Sequence, residues 1–193
     1  MSRRGFFRTF DPTAPFVALD FETADRNSDS ACAVALIRVE GMEIVEQRVC
    51  LIRPPRRHFT FTYIHGITWN DVKHEPPFAD AWPYLRGILD GAAFLAAHNA
   101  PFDRGVLQAC CAAARLDMPP QPFLCTVQLS RRTWGLRSNN LPTVCRHLGL
   151  ELKHHDPTSD AEACARIVIA AARARAKTVE PPRRQERQES NEF

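Results

Sequence analysis

The chain has no apolar run long enough to cross a bilayer, so no membrane partner is expected. Its basic opening, MSRRGFFRTF, lacks the apolar h-region of a secretory signal and leaves only a short transit-type segment as a targeting reading. No C-x-x-C pair occurs among Cys32, Cys50, Cys110, Cys111, Cys125, Cys145 and Cys164, which removes the common zinc and dithiol spacings. Their mostly apolar neighbours suggest reduced core thiols instead, and with them a cytoplasmic setting. Excess charge of one sign is missing too: a net charge of +3 does not by itself announce a nucleic-acid binder. With 193 residues, 45% of them hydrophobic, there is material for one substantial α/β core and no room for a polymerase or helicase module beside it.

What is present falls into a clear order. Apolar runs predict strands at 16–21, around 32–39, around 43–52 and at 93–97. Helices are expected at 78–90, 102–116, near 126–134 and 141–148, and at 159–175. Three early strands on short connections, then strands and helices in alternation, predict an α/β fold with a mixed β-sheet flanked by α-helices. Residues 1–14 read as a basic extension and 15–175 as the folded domain. From Ala176 the composition turns to Arg, Gln, Glu and Pro, so 176–193 read as a disordered charged tail.

Four carboxylates in three short motifs carry the chemistry. In ALDFET, alternation along a strand puts Asp20 and Glu22 on one side. In AHNAPFD, an apolar run gives way to a proline-marked helix start that places Asp103 in the first turn, where helix capping alone would also explain it, as it would Asn99. In HHDPTSDAE, Ser159 is a plausible N-cap with Glu162 three residues later, Asp160 lies in the first turn, and His155 stands five residues ahead of it in a loop stiffened by Pro157. Four gathered carboxylates repel one another and call for hard divalent cations such as Mg²⁺. The set therefore reads as a two-metal phosphodiesterase site.

D-x-E-T, H-N-x-x-F-D and H-x-x-x-x-D, in this order, resemble the three exonuclease motifs of the DnaQ-like DEDDh 3′–5′ exonucleases, the superfamily of the polymerase III proofreading subunit, exonuclease X and ribonuclease T. The resemblance spans roughly residues 16–172 and includes the segment Ile64-His65-Gly66-Ile67. It implies a ribonuclease-H-like fold and two Mg²⁺ or Mn²⁺ ions. Asp20, Glu22 and Asp160 would hold one ion, and Asp20 would bridge to a second supported by Asp103, such pairs lying about 3.5–4 Å apart. It further implies His155 as general base, a nucleotide pocket at Thr23, His65, Asn99 and Phe102, and a nucleic acid with a free 3′ end as substrate. DNA is the expected substrate, with RNA the alternative; a catalytically inactive nucleic-acid-binding scaffold is a further reading. A polymerase or repair partner and a homodimer stay open.

Two features depart from the resemblance. Thr23 is followed by Ala24 and Asp25 where many relatives have Thr-Gly, and His154 beside His155 is separated from it only by spacing. An adjacent residue in an extended loop is expected to point elsewhere. Arg53, Arg56 and Arg57 form one basic cluster and Arg131, Arg132 and Arg137 another; phosphate contact and a solvated surface explain either equally well. Phe59, Phe61 and Tyr63 alternate as a base-stacking face or a strand edge would.

Overall fold

The computed structural model describes residue 11 and residues 13–179, with side chains to residue 176. The expected N-terminal extension and C-terminal tail lie almost wholly outside the described residues. Strands β1 (Phe16–Thr23), β2 (Ala31–Glu40), β3 (Glu43–Leu51), β4 (Phe94–Ala97) and β5 (Phe123–Cys125) form one sheet in the order β3-β2-β1-β4-β5. The first three are antiparallel, and β4 and β5 run parallel to β1. The expected mixed sheet is thus present. Gly41 and Met42 join β2 to β3 with positive φ at both, the two-residue turn whose twist suits a hairpin.

Alternation along β1 sorts the core. Val17, Leu19 and Phe21 face helices α3 (Phe78–Leu85) and α4 (Pro101–Ala114), meeting Trp82, Leu85, Val106 and Leu107. Phe16 and Ala18 face the opposite layer, built by α5 (Thr126–Thr133), α6 (Leu141–Leu148) and α7 (Pro157–Val179) with Leu129, Leu141, Val144, Ile167 and Val168. The sheet is covered on both faces, which is why β1, β2 and β4 read as nearly continuous apolar runs. Phe16 and Phe94 stack across neighbouring strands with centroids 4.9 Å apart. Phe94→Ala is therefore expected to cost about 3–5 kcal/mol, seen as a lower urea midpoint at unchanged slope.

Several local expectations change. β5 was not anticipated: three residues give too short a run for periodicity to register, and only pairing with β4 makes Phe123–Cys125 a strand. Phe59, Phe61 and Tyr63 lie on no strand. The chain there forms short helices α1 (Thr62–His65) and α2 (Trp69–Val72), with Phe59 in a small cluster with Val72 and Trp69 and Tyr63 left 81% exposed. The helix expected at 78–90 stops at Leu85 and tightens into a 3₁₀ turn at Arg86–Leu89. Helix α7 runs to Val179, past the expected break at 175, because no proline or glycine interrupts the sequence before Pro181.

Candidate active site

The face of β1 that buries Phe16 and Ala18 continues into Asp20 and Glu22, toward the layer containing α7. Both carboxylates thus leave the strand beside the start of that helix, and a register shift at Glu22/Thr23 breaks the ladder with β2 just beyond them. Asp103 comes from the other layer. Pro101 opens α4, and the Asp103 side chain, 1% exposed, accepts a hydrogen bond from the Phe21 N–H at 3.1 Å. It ties the helix to the strand. Asn99 takes a positive φ of 71° and makes no side-chain cap to α4.

Helix α7 opens differently from the sequence reading. Asp156 caps it by accepting the Ser159 N–H at 3.0 Å, Pro157 takes the first helical position, and the Ser159 hydroxyl accepts the Lys153 N–H at 2.8 Å. Glu162 pairs with Arg166 one turn on. A carboxylate directly before a proline supplies the cap and leaves Ser159 free for the preceding loop. Asp160 keeps its place in the first turn. Its Oδ2 accepts the His155 N–H at 3.1 Å and lies 3.0 Å from His154 Nδ1. His154 therefore does not point elsewhere: His155 adopts φ of 69°, which breaks the extended alternation and stacks the two rings at 3.8 Å.

Asp20, Glu22, Asp160, both histidines, Asn99 and Phe102 line one cavity of about 530 Å³. Asp103 lies buried against β1 beside it. Also in its wall are His98, which opens the H-N-x-x-F-D motif but carries no expected role, Asn139 and Asn140, which lie outside the motifs, and Arg131, read from the sequence as either a phosphate contact or solvated surface. His98 stands directly beside Asn99, the signal available for it. Asn140 caps α6 through the Thr143 N–H at 3.0 Å, so its cap role was legible and its cavity position was not.

Crowding shows in the electrostatics. Burial, then the charges of Asp103, Glu22 and Asp160, push the Asp20 carboxyl well above its ordinary value. Burial and Asp160 push Glu22 to about 7, and burial pushes Asp103 to about 8 although the Phe21 N–H opposes it. Burial also raises Asp160 against the hydrogen bonds of His155 and His154. Asp160 Oδ1 is buried without a hydrogen-bond partner. A buried bare carboxylate oxygen among protonation-prone acids fits a hard cation better than it fits a proton donor, and the donor set is all oxygen. Among the described residues His154, His155 and Asp160 also bring ligand-type atoms within 4.8 Å of one another.

Thr23 and His65 flank the cavity without forming its wall. The Ile67 N–H donates to His65 Nδ1, which leaves the proton on Nε2, and this nitrogen donates to the Thr23 carbonyl at 3.1 Å. The departure at Ala24-Asp25 is closed by charge: Arg56 bridges Asp25 and Asp29, and Arg57 lies over the Trp69 ring at 5.4 Å. At least two of the three arginines in that cluster are thus engaged within the protein. Burial alone would raise Asp25, but hydrogen bonds from Arg56 and Asn27 hold it at about 2. A carboxyl depressed in the folded chain stabilises above its unfolded value and loses this as pH falls through the folded one. Arg56→Ala is expected to flatten the loss of stability between about pH 4 and 2, measured by denaturant titration at each pH.

The exonuclease family model matches residues 17–168. The PolC-type DNA polymerase III of Thermotoga maritima is 30% identical over 161 residues, covering 81% of this chain and 12% of that protein. For the PolC-type enzyme of Oceanobacillus iheyensis the figures are 32% over 153 residues, 77% and 11%. The chain thus spans about an eighth or less of the length of these relatives. Among solved structures, exonuclease X in complex with 5′ overhanging duplex DNA superposes with a TM-score of 0.65 at 22% identity, covering 86% of this chain and 94% of that one. The nuclease domain of 3′hExo, a DEDDh family member bound to rAMP, gives 0.71 at 16% identity, covering 83% and 92%. Both share the mixed sheet and its flanking helices. The chain belongs to the RNase T exonuclease family, whose model matches residues 17–168.

Proposed function

We propose that this chain is a metal-dependent 3′–5′ exonuclease that removes nucleoside 5′-monophosphates from DNA. The observation that supports it best is the convergence of Asp20, Glu22 and Asp160 with His155 on one cavity, with Asp103 buried alongside. Asp20, Glu22, Asp103 and Asp160 would hold two Mg²⁺ or Mn²⁺ ions, which when bound neutralise the acids and the phosphate and lower the pKa of water. His155 takes the proton of the attacking water on its ring; burial and the neighbouring His154 hold its pKa below the usual histidine value, so the basic form prevails at neutral pH. Asn99 and Phe102 orient the terminal nucleotide in the cavity, and Thr23 and His65 shape its flank.

DNA is favoured because the two relatives at 30% and 32% identity are named DNA polymerases, which also supports a polymerase as partner or parent chain. The rAMP in the 3′hExo structure favours RNA as the second reading. End-labelled single-stranded DNA, duplex DNA and RNA incubated side by side with Mg²⁺ or Mn²⁺ test both. Shortening from the 3′ end with 5′-monophosphate product is expected, fastest on unpaired DNA ends, while a covalently closed circle resists. Cutting of circles at a comparable rate, or full activity in EDTA, would overturn the reading.

A further inference from the structure

Resting on that exonuclease reading, we propose that Arg131 is a positioning residue that receives the backbone phosphate immediately upstream of the one being cleaved. Val127 and Arg131 stand four residues apart on α5, so both occupy one face of the helix, and both line the catalytic cavity. Leu129 and Ser130 are buried on the other side and fix that orientation. Among the described lining residues, Arg131 is the one lysine or arginine. It is exposed and makes no hydrogen bond or ion pair with any described residue, whereas Arg132, next along, is half-buried and engaged within the protein.

A strand end entering this cavity sets the geometry. The terminal nucleotide of a 3′ end carries a single phosphate, the scissile one, and that group belongs with Asp20, Glu22 and Asp160. Asn99 and Phe102 take the nucleoside. A guanidinium on α5 therefore meets a second phosphate only if the next nucleotide inward is laid across α5 and the start of α6. Arginine suits that task, since its fork of N–H donors matches a phosphodiester, and no carboxylate among the described residues is paired with it. The wall beside it is built for a ligand as well. Asn139, 8% exposed, is fixed by donating Nδ2–H to the Leu136 carbonyl at 3.1 Å, yet its Oδ1 is buried without a partner and the residue lines the same cavity.

The test uses the full chain with Mg²⁺ and a single-stranded DNA labelled on its terminal nucleotide, with the second linkage from the 3′ end either a phosphate or an uncharged methylphosphonate. KM and kcat are read from release of the label. The methylphosphonate is expected to raise the wild-type KM about tenfold while kcat moves much less, and Arg131→Gln should do the same to the unmodified strand. Combining the two should add nothing further, because both remove one contact. Arg131→Lys should recover part of the loss on the charged strand only. A KM of Arg131→Gln equal to wild type, or effects that add when combined, overturn the assignment. Failure of the wild-type chain to release the label from the unmodified strand sinks the exonuclease reading itself, and Arg131's role with it.

Discussion

Replacing Asp20 by asparagine is expected to abolish metal-dependent hydrolysis and, at the same time, to raise the melting temperature of the metal-free protein. On the proposed two-metal reading, loss of Asp20 would remove several kcal/mol of transition-state stabilisation, a fall on the order of 10³-fold or more in kcat. The stability gain has a separate origin. Glu22 titrates at about 7 and Asp103 at about 8, with Asp20 and Asp160 raised as well. A carboxyl raised in the folded chain keeps its proton where the unfolded chain has lost it, so metal-free stability falls as pH climbs from about 4 through the folded values. The gain from Asp20→Asn should thus be larger at pH 8 than at pH 5. Mg²⁺ should likewise raise the wild-type melting temperature more at pH 8. Thermal melts at the two pH values, with and without metal, read both effects. A variant that hydrolyses DNA at the wild-type rate, or that melts lower without metal at pH 8, contradicts the clustered-acid site.

The second large effect concerns the paired histidines. His155→Ala is expected to lower kcat by at least ~10²-fold and to remove from the pH–rate profile the acidic limb that its protonation produces. Sequence alone placed His154 out of the way, but its ring lies on Asp160 and in the cavity wall. His154→Ala is therefore expected to act through Asp160, with a milder fall in activity and a higher metal concentration for half-maximal rate. Rates across pH 5.5–9 and a metal titration for both variants separate the roles. If His154→Ala loses the acidic limb and His155→Ala keeps it, the base is assigned one residue too late.

Much of this was open to inspection in the linear chain. Strand alternation alone puts Asp20 and Glu22 on one side, and apolar length alone marks β1, β2 and β4, because these signals arise from neighbours in sequence. Proline and the apolar run also marked the start of α4 within a residue. The start of α7 was harder: the sequence offered Ser159 as its cap, whereas the helix uses Asp156 and the Ser159 hydroxyl holds the loop at Lys153. β5 exists because β4 offers it hydrogen bonds, so no property of Phe123–Cys125 alone announces it.

By itself, then, the sequence marked a mixed sheet with flanking helices, put Asp20 and Glu22 on one side of a strand and placed Asp103 and Asp160 at helix starts, since these signals are written residue by residue. Tertiary structure alone decided that Asp103 hangs from the Phe21 N–H, that a positive φ at His155 turns both histidines inward, and that Arg56 is spent on Asp25 and Asp29 while Arg131 faces the cavity. Each of these depends on which distant group ends up within hydrogen-bonding or Coulombic reach, and that is fixed by the packing of layers on the sheet rather than by any local stretch of chain.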